Sequence, residues 1–266
     1  MPLKSDKGVK KTVYAMAFYA ALDYHWEKYM NVLLTGISSG LGLALAKTLL
    51  DNRHRVYGIS RKTPAISSPD LKFAAIDLAR LDTIEAGLSQ LLSGVDSLDL
   101  VVLNAGILGE IRDLSATPMD DLKQIMDINL WSNKVLIDFL LSSAIQLKQI
   151  VAISSGASVS GQRGWSGYGI SKAALNMLVK LYAAENPDIH FTALAPGLVY
   201  TPMQDLIALH PDPEKFPVVK RLISSRGTSD MPDADQAASR MIEAFPKLLQ
   251  MESGNYLDIR KMDFTK

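Results

Sequence analysis

The apolar run Val32-Leu33-Leu34 leads directly into Thr35-Gly36-Ile37-Ser38-Ser39-Gly40-Leu41-Gly42. Beyond it, Leu41, Leu45, Leu49 and Leu50 recur at helical spacing. The order strand, glycine turn, helix is the first half of a βαβ unit, and such units build parallel sheets with helices packed on the faces. Glycines in that turn let the backbone come close to a pyrophosphate, and the helix N-terminus supplies free N–H groups and a positive dipole end. The spacing here is G-x-x-x-G-x-G rather than the commoner G-x-G-x-x-G. Taken alone, the glycines fit a ligand-free tight turn equally well.

The same alternation continues along the chain. Strands are expected at Asn31–Thr35, Arg55–Ser60, Lys72–Ile76, Leu98–Leu103, Gln149–Ser154, His190–Ala195 and Asn255–Ile259. Apolar periodicity predicts helices at Leu41–Leu50, Thr83–Leu92, Met119–Ile128, Ser132–Ile145, Tyr168–Ala184 and Ala234–Phe245. With 266 residues, 48% of them apolar, the chain can bury one large core, so residues 30–266 are read as one α/β domain: a doubly wound parallel sheet with helices on both faces. Pro211 to Lys220 is proline-punctuated and polar, as expected of a segment covering a substrate. Residues 1–29 stand apart: Met1–Lys11 is Lys-rich, Val13–Leu22 is an apolar run too short to span a bilayer, and Asp23–Lys28 is charged and aromatic. We expect an extension outside the fold, or a start assigned upstream of Met30. An interaction helix and an export signal are the alternatives.

A second feature carries chemistry. Tyr168-Gly169-Ile170-Ser171-Lys172 places a phenol and an ammonium four residues apart, hence on one face of a helix. A cation beside a phenol favours the phenolate, so the spacing predicts a pKa lowered from about 10 toward neutrality. Such a group exchanges protons with an alcohol or carbonyl oxygen. The spacing by itself also arises by chance on many helices.

Six motifs in order resemble the short-chain dehydrogenase/reductase family over roughly Asn31 to Arg260. They are the glycine turn; Asn104-Ala105-Gly106, where the family has N-N-A-G and Leu103 replaces the first Asn; Asn129; Ser155, thirteen residues before Tyr168; Tyr168 with Lys172; and Pro196-Gly197-Leu198-Val199-Tyr200-Thr201, which fits P-G-x-x-x-T. The resemblance implies a Rossmann-type fold and a catalytic set of Asn129, Ser155, Tyr168 and Lys172. In it Tyr168 gives the proton, Ser155 polarises the carbonyl, Lys172 tunes Tyr168 and holds the nicotinamide ribose, and Asn129 keeps a proton-relaying water for Lys172. It assigns cofactor binding to Gly36, Ser38, Ser39, Gly40, Leu41 and Gly42, with Asp77 and Leu78 at the adenine. Asn104, Ala105 and Gly106 join them, as do Pro196, Gly197, Val199 and Thr201. The ordinary readings are a strand-end cap for Ser155, a helix-interior polar group for Asn129 and a half-buried aromatic for Tyr168.

The second strand ends Gly58-Ile59-Ser60-Arg61-Lys62, without a carboxylate. An acidic residue there selects NAD through the ribose 2′-hydroxyl, and a basic one accommodates a 2′-phosphate. Ser60 stands where NAD-type relatives carry Asp, and Arg61 offers a planar fork to phosphate, so NADP(H) is the expected cofactor. Arg163-Gly164-Trp165, the stretch Pro196 to Gln204 and the closing Gly254 to Ile259 resemble the sepiapterin reductase and benzil reductase branch, which reduces vicinal dicarbonyls and aromatic ketones. Trp165 and Met203 are candidates for the substrate pocket, and Asp258 is a loose match to the carboxylate that anchors a pterin. A ketone or vicinal dicarbonyl is the expected substrate. Oxidation of an alcohol, or a catalytically idle nucleotide sensor, are the alternatives.

Composition narrows the classes. Lys+Arg and Asp+Glu both total 28, so no electrostatic footprint for nucleic acid is present. There are no cysteines, and His25, His54, His190 and His210 show no metal-ligand spacing. No metal, no nucleic acid and no membrane are expected, and the expected compartment is the cytoplasm. Val135, Leu136, Phe139 and Leu140, with Leu175, Leu178, Val179 and Tyr182, make two helices apolar on more than one face. Family members dimerise through these helices, which implies a homodimer or homotetramer.

Overall fold

The computed structural model describes residues 29–209 and 212–264. The readings of residues 1–28, and of His210 and Pro211, fall outside these. Seven parallel strands form the main sheet: β1 (Asn31–Thr35), β2 (Arg55–Ser60), β3 (Leu71–Ala75), β5 (Leu100–Leu103), β7 (Gln149–Ile153), β8 (His190–Ala195) and β9 (Tyr256–Asp258). Their order is β3-β2-β1-β5-β7-β8-β9. A two-stranded parallel piece, β4 (Ser97–Leu98) with β6 (Gln146–Leu147), sits beside it. The helices are α1 (Gly40–Asp51), α2 (Leu81–Leu91), α3 (Met119–Met126), α4 (Ser132–Ser142), α5 (Ala157–Ser160), α6 (Ser166–Glu185), α7 (Pro202–Ala208), α8 (Pro217–Ser225) and α9 (Ala234–Leu248).

Strand period divides the core into two layers. Val32, Leu34, Leu100, Val102, Val151 and Leu194 face one side, where Leu45 and Leu49 of α1 and Met241 and Phe245 of α9 pack on them. Leu33, Val101, Leu103, Ile150, Phe191 and Ala193 face the other, against Leu88 of α2, Leu136 and Leu140 of α4, and Leu175 and Val179 of α6. Both faces are covered, which is why these strands read as unbroken apolar runs. A third, smaller cluster joins Ile207, Phe216, Val219 and Leu222 of the α7–α8 region to Leu108, Ile111 and Met231, with Trp165 and Tyr168 packed against it. Among the described residues no helix is long and apolar enough to cross a membrane.

The structure corrects three expected elements. The run Leu98–Leu103 is cut at Asp99, whose carboxylate accepts from the Asn31 backbone N–H (2.9 Å) and leaves β4 and β5 in different sheets. The helix expected over Ser132–Ile145 stops at Ser142, and the chain turns into β6. Met119–Ile128 stops being α-helical after Met126 and winds as a π-helix over Asp127–Trp131 before α4 begins. In addition, α9 continues through Pro246 to Leu248. The covering segment expected at Pro211–Lys220 contains the start of α8, with Pro217 at its first turn, where a missing N–H costs nothing.

Phe245 is fully buried under the sheet. Phe245→Ala is expected to cost about 3–5 kcal/mol through lost transfer energy and the residual cavity. Urea unfolding should show a lower midpoint with an unchanged slope.

Candidate active site

β1 and β5 are neighbours in the sheet, but their connections leave to opposite faces, and the cleft opens where they part, beyond the C-terminal ends of the strands. Three hydrogen bonds hold the floor. The Thr35 hydroxyl accepts from the N–H groups of Asn104 and Ala105 (3.0 Å each), and the Asn104 amide donates to the Thr35 carbonyl (3.0 Å). The glycine turn closes over this knot. Gly36 has φ +78° and Gly40 φ +55°. A Cβ on Gly42 would stand 2.2 Å from the Gly36 carbonyl oxygen and 2.4 Å from Asn104 Nδ2. Ser39 caps α1 without spending its hydroxyl on the helix, so the first-turn N–H groups of a twelve-residue helix are left for a ligand. The cleft measures about 970 Å³, at the upper end of small-ligand sites. A turn closed to any side chain, beside a helix N-terminus in a cleft of this size, fits a dinucleotide.

All the expected cofactor and pocket residues line this cleft; of the catalytic set only Asn129 does not. At the end of β2, Ser60 is buried and its hydroxyl donates to the Lys62 carbonyl (2.7 Å), while Arg61 is exposed on the cleft wall. Asp77 Oδ1 accepts from the Ala79 N–H (3.1 Å), which turns the chain past buried Leu78. Gly106, Pro196, Gly197, Val199 and Thr201 line the middle of the wall.

At the far end stand the reactive side chains. α6 brings Tyr168 and Lys172 to one face, with Lys172 Nζ 5.9 Å from the centre of the Tyr168 ring. Lys172 is buried, and its ammonium donates to the Ile153 carbonyl (2.6 Å) at the end of β7. Burial lowers its pKa to about 8. The expected lowering of Tyr168 is not what the structure shows: desolvation pushes the phenol up, and a hydrogen bond with Ser155 opposes this. Loss of water around the phenol outweighs the neighbouring charge, and the Lys172 ammonium donates to the Ile153 carbonyl. Ser155 Oγ also accepts from the Ala157 N–H (3.1 Å), so Ser155 acts as a local cap as well as facing Tyr168.

Asn129 lies in the π-helical segment, which re-aims its side chain. Its Oδ1 accepts from the Ile107 N–H (2.8 Å), and its Nδ2 donates to the Ile107 carbonyl (2.9 Å) and to Ser171 Oγ (3.0 Å). Asn129 thus fastens the loop after Gly106 to α6 close to Lys172, without touching Lys172 directly. Trp165 packs edge-on to Tyr168, ring centres 6.0 Å apart, and Met203 is half-buried against the same cluster. Asp258 reaches the cleft wall, but both carboxylate oxygens are held by Arg260 (Oδ1–Nε 2.9 Å, Oδ2–Nη2 2.5 Å). It is not an open anchor of the kind that a pterin needs. Arg260 itself had no motif to mark it in the sequence.

The family model for short chain dehydrogenases matches residues 30–211. Benzil reductase ((S)-benzoin forming) IRC24 of Saccharomyces cerevisiae is 35% identical over 191 residues, 65% of this chain and 73% of the relative. The Bacillus subtilis benzil reductase ((S)-benzoin forming) is 28% identical over 240 residues, 86% of this chain and 98% of the relative. Among solved structures, the short chain dehydrogenase/reductase YIR035C of Saccharomyces cerevisiae superposes with a TM-score of 0.74 at 24% identity, over 87% of this chain and 96% of that one. The chain therefore belongs to the short-chain dehydrogenase/reductase family of oxidoreductases, and within it is similar to the benzil reductases.

Proposed function

We propose that residues 30–266 form a single-domain, cytoplasmic, NADP(H)-dependent carbonyl reductase acting on a ketone or vicinal dicarbonyl. The carrying observation is the convergence of Tyr168, Ser155 and Lys172 at one end of a dinucleotide-sized cleft. A bound nicotinamide cofactor supplies the hydride. Tyr168 delivers the proton to the carbonyl oxygen, and a phenol pushed up by burial is fully protonated at neutral pH, as a donor must be. Ser155 donates to the same oxygen as negative charge develops on it. Lys172, still largely protonated at pH 7 with a pKa of about 8, stabilises the phenolate left behind. Asn129 holds the Gly106–Ile107 loop against this group. Benzil reductases among the relatives support a diketone or aryl ketone as the substrate class.

Tyr168→Phe removes the proton donor and leaves the ring and its edge contact with Trp165 in place. Turnover is expected to fall by about 10²–10⁴-fold, the usual worth of general acid catalysis, with cofactor affinity by fluorescence titration largely retained. Activity within a few-fold of the parent would remove Tyr168 from the mechanism.

Cofactor choice rests on Arg61, exposed at the end of a strand that offers no carboxylate. Charge-assisted hydrogen bonds to a 2′-phosphate favour NADPH by about 10–100-fold, and solvent screening places the effect nearer the lower bound. Ser60→Asp combined with Arg61→Ala is expected to invert the order. The comparison is kcat/KM for NADPH and NADH with one fixed ketone, and equal use of both by the parent would reject the assignment.

Assembly follows from residues other than those the sequence singled out. Leu136, Leu140, Leu175, Val179 and Tyr182 are spent on the chain's own core. Trp131, Ile170, Met177 and Leu181 are left 41–56% exposed along the outer faces of the π-helical segment and α6. A homodimer or homotetramer covering them is expected. Light scattering at tens of micromolar should give at least twice the monomer mass, and Met177→Lys with Leu181→Glu should reduce it.

A further inference from the structure

β9 ends by placing an ion pair against the reacting end of the cleft. Arg260 lies across Gly197, its Cδ 3.1 Å and Cγ 3.2 Å from the point where a Cβ on that glycine would stand. Its Nη2 comes within 4.0 Å of the corresponding point on Gly156, the residue after Ser155. Asp258, with its side chain only 6% exposed, grips Nε and Nη2 from below, and the Arg260 side chain is 52% exposed above it. A guanidinium carries five N–H donors in a fixed fork. The two spent on Asp258 leave Nη1 and one proton of Nη2 without a partner among the described residues. Arg260, Gly156 and Ser155, whose hydroxyl is proposed above to hold the reacting oxygen, line the same cleft.

We propose that Arg260 is the residue that selects carbonyl compounds bearing a second, uncharged acceptor oxygen on the neighbouring carbon. Asp258 aims it. The inference rests on the carbonyl-reductase reading and goes beyond it in naming the residue that recognises the second oxygen. The buried carboxylate cancels most of the net charge of the fork while fixing its plane, so the pair offers direction rather than bulk positive potential. That favours a neutral second carbonyl over a carboxylate, which would have to give up its hydration for a nearly neutral partner. An oxygen one carbon away from the reacting carbonyl accepts from Arg260 while Ser155 and Tyr168 hold the first. A simple ketone leaves those half-exposed donors to water and forgoes the hydrogen bond, so it is used less well than the diketone.

The test compares 1-phenyl-1,2-propanedione with propiophenone, which lacks the second oxygen, using the full chain and saturating NADPH. The readout is the ratio of their kcat/KM values, parent against variant, which cancels the intrinsic reactivity of the diketone. Arg260→Met is expected to lower this ratio about 10-fold, the lower end for a hydrogen bond from a charged donor, because the half-exposed guanidinium is screened by water. Because Arg260→Met strands the buried Asp258 carboxylate and risks misfolding, Asp258→Asn with Arg260→Met is made alongside it, and the same fall is expected. A ratio within threefold of the parent in a folded variant overturns the inference. So does an equal loss for both ketones that tracks weakened NADPH binding, which would assign Arg260 to the cofactor. Benzoylformate used more than tenfold better than the diketone would replace the neutral acceptor with a carboxylate and overturn the inference as stated. A parent that reduces neither ketone overturns the functional reading as well, whereas a parent that reduces both with an unmoved ratio overturns this inference alone.

Discussion

The structure turns on a place where there is no room for a methyl group. Where β1 and β5 part, the Gly36 carbonyl and the Asn104 amide approach the α carbon of Gly42 so closely that a Cβ would overlap both. Thr35 ties the two strand ends together through its hydroxyl and its carbonyl. Everything in the site is referenced to this knot. It sets the height of the α1 N-terminus over the sheet, and it fixes the start of the Asn104–Gly106 segment, which Asn129 then pins to α6. Through α6 the knot also sets where Tyr168 and Lys172 stand. Packing and hydrogen bonding here are one constraint, because loosening the turn would release the partners of both strands.

A second tension runs through α6. Lys172 is buried with a carbonyl as its hydrogen-bond partner and no carboxylate, and desolvation lowers its pKa to about 8. Tyr168 beside it is pushed the other way by the same loss of water. Each group is held closer to its neutral form than it would be in solvent. Charge on either one is worth more in such a dry site than in a wet one.

Most of the frame was legible in the chain before any coordinates. β1, β2 and β8 fall on the expected residues, because parallel strands covered on both faces leave continuous apolar runs, and the residues that line the cleft lie in local motifs. What was not legible depends on partners distant in sequence. The cut at Asp99 needs the Asn31 N–H, 68 residues away. The π-helical segment keeps helical periodicity and gives no composition signal, though it decides where Asn129 points. Tyr168 was expected to be lowered by Lys172 on spacing alone, and spacing does not reveal that the ammonium is committed to Ile153. Arg260 was invisible for the same reason: it packs across Gly197, 63 residues earlier, where a side chain would crowd it.

The apolar cluster formed by α7, α8 and the loop around Leu108 is separate from the two cores that hold the sheet. Its side chains touch Trp165 and Tyr168 but not the sheet layers that carry global stability. A change of side-chain volume in this cluster therefore acts first on the mouth of the cleft and on the packing around Trp165 and Tyr168, and only indirectly on the sheet. The frame that holds the sheet and the cover that shapes the mouth are thus two packing problems solved by different side chains.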